Sequence, residues 1–186
     1  MKLIIIEGTD RTGKDTLVNR IIEDHRNVIK RHWGFPRGET NDEKTAYQKR
    51  SFREEFVFYD LVYVNTPSDM IMIWNRAHIG EFVYGTIYRD SKPETWVWDL
   101  EKEFFMDEID EVYLVLLYAD PEFVAQKDDG KSYSAKIEDK TREISAFLNA
   151  FENSGIKNKL KIKVNEGNSY IDRELIYTTV KQFING

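Results

Sequence analysis

Nine residues near the start of the chain, Gly8-Thr9-Asp10-Arg11-Thr12-Gly13-Lys14-Asp15-Thr16, have the types and spacing to hold a polyphosphate. Gly8 and Gly13 can take backbone angles closed to other residues, which turns consecutive N–H groups inward as an anion-binding nest. A helix beginning after Gly13 adds unpaired N–H donors and a partial positive charge, and Lys14 adds a mobile ammonium. Arg11 sits inside the loop and cannot avoid a phosphate held there. The position after the lysine is ordinarily Ser or Thr, whose hydroxyl meets magnesium. Here it is Asp15, followed by Thr16. A carboxylate is also a hard oxygen ligand, so Asp15 and Thr16 are the metal candidates. The nucleotide-binding set is therefore Gly8, Arg11, Thr12, Gly13, Lys14, Asp15 and Thr16.

A phosphate cradle alone says nucleotide binding, and the reaction class must come from the rest of the chain. No N-K-x-D loop of a guanine-selective switch protein is present, and the chain is small for a motor or transporter ATPase. Arginines spread over several segments, Arg11, Arg37, Arg53 and Arg76, suit phosphoryl transfer between two small anions. Such a transfer needs alignment, exclusion of water and charge neutralisation more than covalent help. Any one arginine is by default a solvated surface residue. Arg11 and Arg76 are the better placed, one within the loop and the other directly after an apolar run.

The elements that must carry these groups alternate strand and helix. The run Lys2–Ile6 reads as a strand feeding the loop, and Leu17, Val18, Ile21 and Ile22 as the inner face of the helix after it. Asn27–Trp33 reads as a second strand, closed by Gly34-Phe35-Pro36-Arg37-Gly38. Asp42–Asn65, with Tyr47, Phe52, Phe56, Tyr59 and Tyr63 recurring, is one or two helices. Asp69–Trp74 and Val112–Tyr118 are continuous apolar runs of the kind buried on both faces of a parallel sheet. Helices are expected over Ala77–Tyr88 and over Pro93–Met106, the second with Trp96, Val97, Leu100 and Phe104 on one face. Asp120-Pro121 opens a short helix. The charged, glycine-marked segment 126–136 reads as a lid or a solvated turn, and the helix after it turns Ile137, Ile144, Phe147, Leu148 and Phe151 inward. Leu160, Ile162 and Val164 mark an edge strand. Ser169 is expected to cap a last helix with Ile171, Leu175, Ile176, Val180 and Phe183 buried. The sum is a single α/β domain over residues 1–186, a three-layer phosphate-loop nucleotide kinase fold with a parallel sheet of about five strands and helices on both faces.

With 41% hydrophobic and 32% charged residues and no long apolar run, the composition fits a globular domain that stays where it is made and has no membrane partner. The absence of cysteine and the scatter of His25, His32 and His78 argue against a transition-metal centre. A net charge of −6 argues against a stable grip on nucleic acid, so an anionic ligand must be met by a local basic pocket.

The residues Glu7 to Lys14 resemble the E-G-x-D-R-x-G-K loop of the thymidylate kinase family of nucleoside monophosphate kinases. Phe35-Pro36-Arg37 is similar to the family's Phe-Pro segment, and Asn75-Arg76 with Tyr84 downstream resembles its Asp-Arg motif. The resemblance implies magnesium, ATP as phosphoryl donor and a deoxynucleoside monophosphate such as dTMP as acceptor. Lys14, Arg11 and Arg76 would be catalytic, with Arg37 and Arg76 clamping the acceptor phosphate. Asp10 would accept a hydrogen bond from the sugar, Tyr84 would disfavour a 2′-hydroxyl, Phe35 would line the acceptor side, Phe52 or Phe56 would stack on the base and Arg53 would bond its edge. The resemblance further implies small nucleotide partners, a cytoplasmic location (the host's, if viral) and relatives among phages and large viruses; a homodimer is compatible with it. Two departures stand out: Asp15 replaces the hydroxyl, and Asn75 replaces the aspartate. The rival readings are a deoxynucleoside kinase and a nucleotide-binding module without catalysis.

Overall fold

The computed structural model describes residues 1–105 and 111–186. Five strands, β1 (Lys2–Glu7), β2 (Val28–His32), β3 (Ile71–Asn75), β4 (Val112–Tyr118) and β5 (Asn158–Lys163), form one sheet. Their order is β2-β3-β1-β4-β5, and every pairing is parallel. The connections run through α1 (Lys14–Asp24), α2 (Asn41–Asn65), α3 (His78–Arg89), α4 (Val97–Phe104), α5 (Pro121–Gln126) and α6 (Ile137–Asn153), with α7 (Arg173–Asn185) last.

The alternation of side chains along the strands divides the core in two. Leu3, Ile5, Met72, Trp74, Leu114 and Leu116 face α2, α3, α4 and α6, packing on Phe52, Phe56, Ile79, Val83, Val97 and Phe147. Ile4, Ile6, Ile71, Ile73, Val115 and Leu117 face the other way, onto Leu17, Val18 and Ile21 of α1, Phe123 of α5 and Val180 of α7. Both faces of the central strands are thus dry, which is why β1, β3 and β4 read as unbroken apolar runs. The architecture is the expected three-layer α/β fold.

The 25-residue α2 is one helix, its start fixed by a reciprocal capping box between Thr40 and Glu43. Elsewhere the structure corrects the sequence expectations. The segment from Pro93 is not one helix: a 3-10 turn over Pro93–Thr95 ends at Trp96, and α4 begins at Val97. The expected end of that helix at Met106 lies outside the described residues. Ser169 does not cap α7. It belongs to an antiparallel hairpin, β6 (Asn165–Glu166) with β7 (Ser169–Tyr170), turning at Gly167, and Asp172 accepts the Glu174 N–H as the cap instead. Ile137 and Leu175, expected inside, are exposed, and Tyr177 and Ile184 take the buried places on α7. No helix among the described residues is long and apolar enough to cross a membrane.

Strand β1 lies between β3 and β4, so the chain leaves its carboxyl end at the point where the strand order reverses. That crevice is where open parallel sheets bind ligands, and it is where the glycine loop begins.

Candidate functional site

The loop between β1 and α1 is held open by three left-handed residues. Gly8 (φ 140°) presses against the end of β4 so closely that a Cβ there would stand 2.0 Å from the Leu117 carbonyl oxygen. Gly13 (φ 84°) is the N-cap of α1, and Arg11 adopts φ 65° although it has a side chain. The Thr12 hydroxyl donates to the Thr9 carbonyl at 2.8 Å. Lys14 folds back across the loop, donating to the carbonyls of Gly8 (2.8 Å) and Thr9 (2.5 Å). Its ammonium is buried. Burial first, and the nearby Arg76 charge second, bring its pKa down to about 7. A lysine held this way is strongly favoured by an anion.

Strand β3 delivers the second group of residues. Arg76, the first residue beyond it, is also left-handed (φ 66°), and its N–H donates to the Ile6 carbonyl at 3.0 Å, tying it to the end of β1. The guanidinium donates to Asp10 in the loop. Burial alone would raise the Asp10 carboxyl, but Lys14 and then Arg76 outweigh it and hold it below its ordinary value. Asn75 donates from Nδ2 to Asp15 at 2.5 Å. Glu7, the last residue of β1, accepts the N–H groups of Ala77 (2.8 Å) and Gly80 (3.0 Å), so a buried carboxylate caps α3 from outside its own segment. Burial raises the Glu7 pKa despite these donors.

These groups open into one cavity of about 890 Å³. Of the sequence candidates, Gly8, Asp10, Arg11, Thr12, Gly13, Lys14, Asp15, Thr16, Phe35, Phe52, Arg76 and Tyr84 lie on its wall. Arg53 does not. Adjacent residues on a helix point about 100° apart; Phe52 faces inward, and Arg53 turns outward to pair with Glu103 at 2.7 and 2.9 Å. Arg37 is also off the wall, exposed, with its guanidinium 5.9 Å from the Tyr47 ring centre.

Among the wall residues that the sequence did not single out as site residues are Trp33, Gln48, Glu81, Arg89 and Tyr133. Glu81 and Arg89 form a buried ion pair across two turns of α3, and burial, only partly offset by Arg89, raises the Glu81 pKa. Gln48 shares the face of α2 that carries Phe52, four residues on, and that spacing was its available signal. Tyr133 comes from segment 126–136, which contributes Asp129, Lys131 and Tyr133 to the cavity wall. Its ring stacks on Tyr88 (4.6 Å, 9°) and meets the edge of Phe35 at 5.0 Å. From the same segment, Asp129 pairs with Arg11, and Asp128 lies 3.8 Å from the buried Lys140.

The described residues contain no group of three or more His, Cys, Asp or Glu that holds a metal unaided. Magnesium does not require one, since it binds through one or two protein oxygens with phosphates and water completing the shell. The Asp15 carboxylate, the Thr16 hydroxyl and the Asn75 amide oxygen, which is buried without a hydrogen-bond partner, are donors of that chemistry.

Neither a protein-family model nor a curated protein sequence matches the chain. Solved structures do match it. The Bacillus subtilis YorR protein in complex with phosphorylated GDP is 17% identical with a TM-score of 0.58, the match covering 97% of this chain and 96% of that one. Thymidylate kinase from Ehrlichia chaffeensis is 14% identical (TM-score 0.65, 97% of each chain), and that from Candida albicans 12% identical (TM-score 0.68, 99% of this chain and 91% of that one). The five-stranded parallel sheet flanked by helices is therefore the phosphate-loop fold that thymidylate kinases have.

Proposed function

We propose that this chain is an ATP- and magnesium-dependent kinase that phosphorylates a deoxynucleoside monophosphate such as dTMP. The observation that carries the reading is that the loop of β1 and Arg76 of β3 meet across one cavity, joined by the Arg76–Asp10 contact. This supports a reading in which two anion-holding groups of residues work side by side, one on each side of the strand-order reversal.

In this reading the amides around Gly8–Gly13 and the Lys14 ammonium hold the triphosphate of ATP, with Arg11 over the outermost phosphate. Magnesium would supply charge neutralisation on the triphosphate, and Asp15 and Thr16 would be the residues to hold it. Arg76 orients the acceptor phosphate, Tyr84 closes the sugar end, and Phe52 offers a ring to the base. The new bond forms between an acceptor phosphate oxygen and the γ-phosphorus, the bond to the β–γ bridging oxygen breaks, and ADP leaves. No general base is needed, because the second ionisation of a phosphate monoester has a pKa of about 6. Arg11, Lys14 and Arg76 stabilise the charge on the moving group. Tyr133 and its neighbours exclude water, which would otherwise accept the phosphoryl group.

The position of Arg37 outside the cavity favours one alternative, a deoxynucleoside kinase, which has less use for acceptor arginines. A coupled assay for ADP release across the four common deoxynucleoside monophosphates and their nucleosides separates the two. Release with at least one monophosphate and not with its nucleoside is expected, and release with nucleosides alone overturns the monophosphate reading.

A further inference from the structure

Phosphate-loop NTPases commonly meet magnesium with two protein groups, a neutral hydroxyl directly after the loop lysine and a carboxylate at a neighbouring strand end. In this chain the two chemistries stand in each other's place. The position after Lys14 carries a carboxylate, Asp15, and the end of the strand next to β1 carries a neutral amide, Asn75. The two side chains touch, Asn75 Nδ2 donating to Asp15 Oδ1 at 2.5 Å. Register places Asn75 directly beside Ile6, one residue before the last of β1. Both groups therefore serve one spot at the mouth of the phosphate loop.

We infer that the magnesium carboxylate has been transposed from the end of β3 to the first turn of α1, so that Asp15 and Asn75 act as one exchanged pair with a single negative charge between them. This deepens, and rests on, the kinase reading above. Three features support it. Carboxylates at both positions would lie in direct contact and repel, so an acid at 15 calls for a neutral donor at 75. The amide spends its N–H on Asp15 Oδ1, and Asp15 is an exposed residue on the cavity wall, so its carboxylate is open to a cation arriving with the nucleotide. Asn75 Oδ1, fully buried, also has no hydrogen-bond partner. A pair present only to brace the loop would not leave the buried Asn75 oxygen unused. A single carboxylate with a hard oxygen beside it is what a magnesium–triphosphate complex recruits from a protein.

The test exchanges the two groups atom for atom. Asp15→Asn keeps the shape and can still accept from Asn75, but removes the charge. Asp15→Asn combined with Asn75→Asp restores one charge at the other position. Affinity for adenosine 5′-(β,γ-imido)triphosphate is measured by calorimetry in EDTA and in MgCl2, and Mn2+ bound in the ternary complex is counted by its electron paramagnetic resonance signal. The wild type is expected to bind more tightly with magnesium. In Asp15→Asn the magnesium enhancement and the Mn2+ affinity should fall about 10- to 100-fold, the range seen when residues that shape a metal shell are removed, while affinity in EDTA is kept or rises. The double exchange should recover most of the loss. Unchanged magnesium enhancement in Asp15→Asn overturns the assignment of Asp15, and failure of the double exchange to recover overturns the transposition. Failure of the wild type to bind the analogue even in MgCl2 would instead sink the phosphate-loop reading itself, so the two failures are distinguishable.

Discussion

Arg76 combines a strained backbone with a half-buried guanidinium on the cavity wall, so replacing it separates function from stability. An L-residue at φ 66° costs about 1–2 kcal/mol relative to the right-handed region. The guanidinium is roughly one-third exposed and its partner Asp10 about one-quarter, so their ion pair returns about 1 kcal/mol or less. Arg76→Ala keeps the strain and loses the pair, and should lower stability by about 1 kcal/mol. Arg76→Gly also loses the pair but relieves the strain, less the about 0.4–1 kcal/mol that glycine adds to the entropy of the unfolded chain; it should unfold within about 1 kcal/mol of the wild type and be the more stable of the two variants. Catalysis responds very differently. Losing a desolvated charged contact to the acceptor phosphate costs about 2–5 kcal/mol, which at 1.36 kcal/mol per decade is about 30- to 5,000-fold in kcat/KM for the monophosphate in both variants. Urea unfolding and the coupled ADP assay on the three proteins give both numbers. Activity within tenfold of the wild type would remove Arg76 from the acceptor site. A glycine variant less stable than the alanine variant would show that the left-handed backbone is not strained.

Further perturbations probe segment 126–136, the cavity wall and the loop lysine. Asp129 occupies Arg11 in the ligand-free protein, so Asp129→Asn should tighten binding of a non-hydrolysable ATP analogue by about 2- to 5-fold, the worth of a half-exposed pair; weaker binding in calorimetry would mean that the contact assists nucleotide rather than competing with it. Glu81→Gln leaves the buried Arg89 uncompensated and should cost about 3–5 kcal/mol in urea unfolding, whereas a loss below about 1 kcal/mol would show the pair to be hydrated. Lys14 titrates near 7 when folded against an ordinary 10.5, so between those values the unfolded chain binds more protons and the ligand-free protein gains stability as pH rises. A bound triphosphate favours the ammonium, so its affinity should fall as pH is raised from 7 to 9, with proton uptake visible as a buffer-dependent enthalpy; a pH-independent affinity would place the Lys14 ammonium away from the phosphates.

Much of the fold was legible because the buried strands have no wet face to interrupt them. Ile4, Ile5 and Ile6 of β1 and Leu114 to Leu117 of β4 are nearly or wholly buried, and their apolar runs reflect two packed layers directly. What the sequence hid lies where a local signal served a different element. Pro93 opens a helical turn as expected, but that turn is a separate 3-10 piece before Trp96. Ser169 has the chemistry of a helix cap and stands in a hairpin strand, because Gly167 supplies a turn two residues earlier. On α2, recurring aromatics at 47, 52, 56, 59 and 63 announced burial but gave no register, so Arg53 was assigned to the cavity when the residue beside it, Phe52, faces inward.

The site divides along the same physical line. Residues whose role lies in the backbone, Gly8 and Gly13, are visible as letters, since few other side chains tolerate those angles. Residues whose role lies in where the backbone aims them are not. Arg37 and Arg76 are alike as letters, each following a strand, yet Arg76 is turned into the crevice by a left-handed backbone and an N–H bond to Ile6, while Arg37 lies across Tyr47 on the outside. Among the described residues only Arg11, Arg76 and Asp90 are non-glycines at positive φ, and two of these three are arginines on the cavity wall. Strain of that kind persists only where the surroundings over-determine it. Here those surroundings are the carboxyl ends of β1 and β3 and the buried Glu7 carboxylate that fixes the start of α3. An acidic protein can therefore present two guanidinium groups and an ammonium to one small anionic space without a basic surface, because backbone geometry rather than net charge concentrates them.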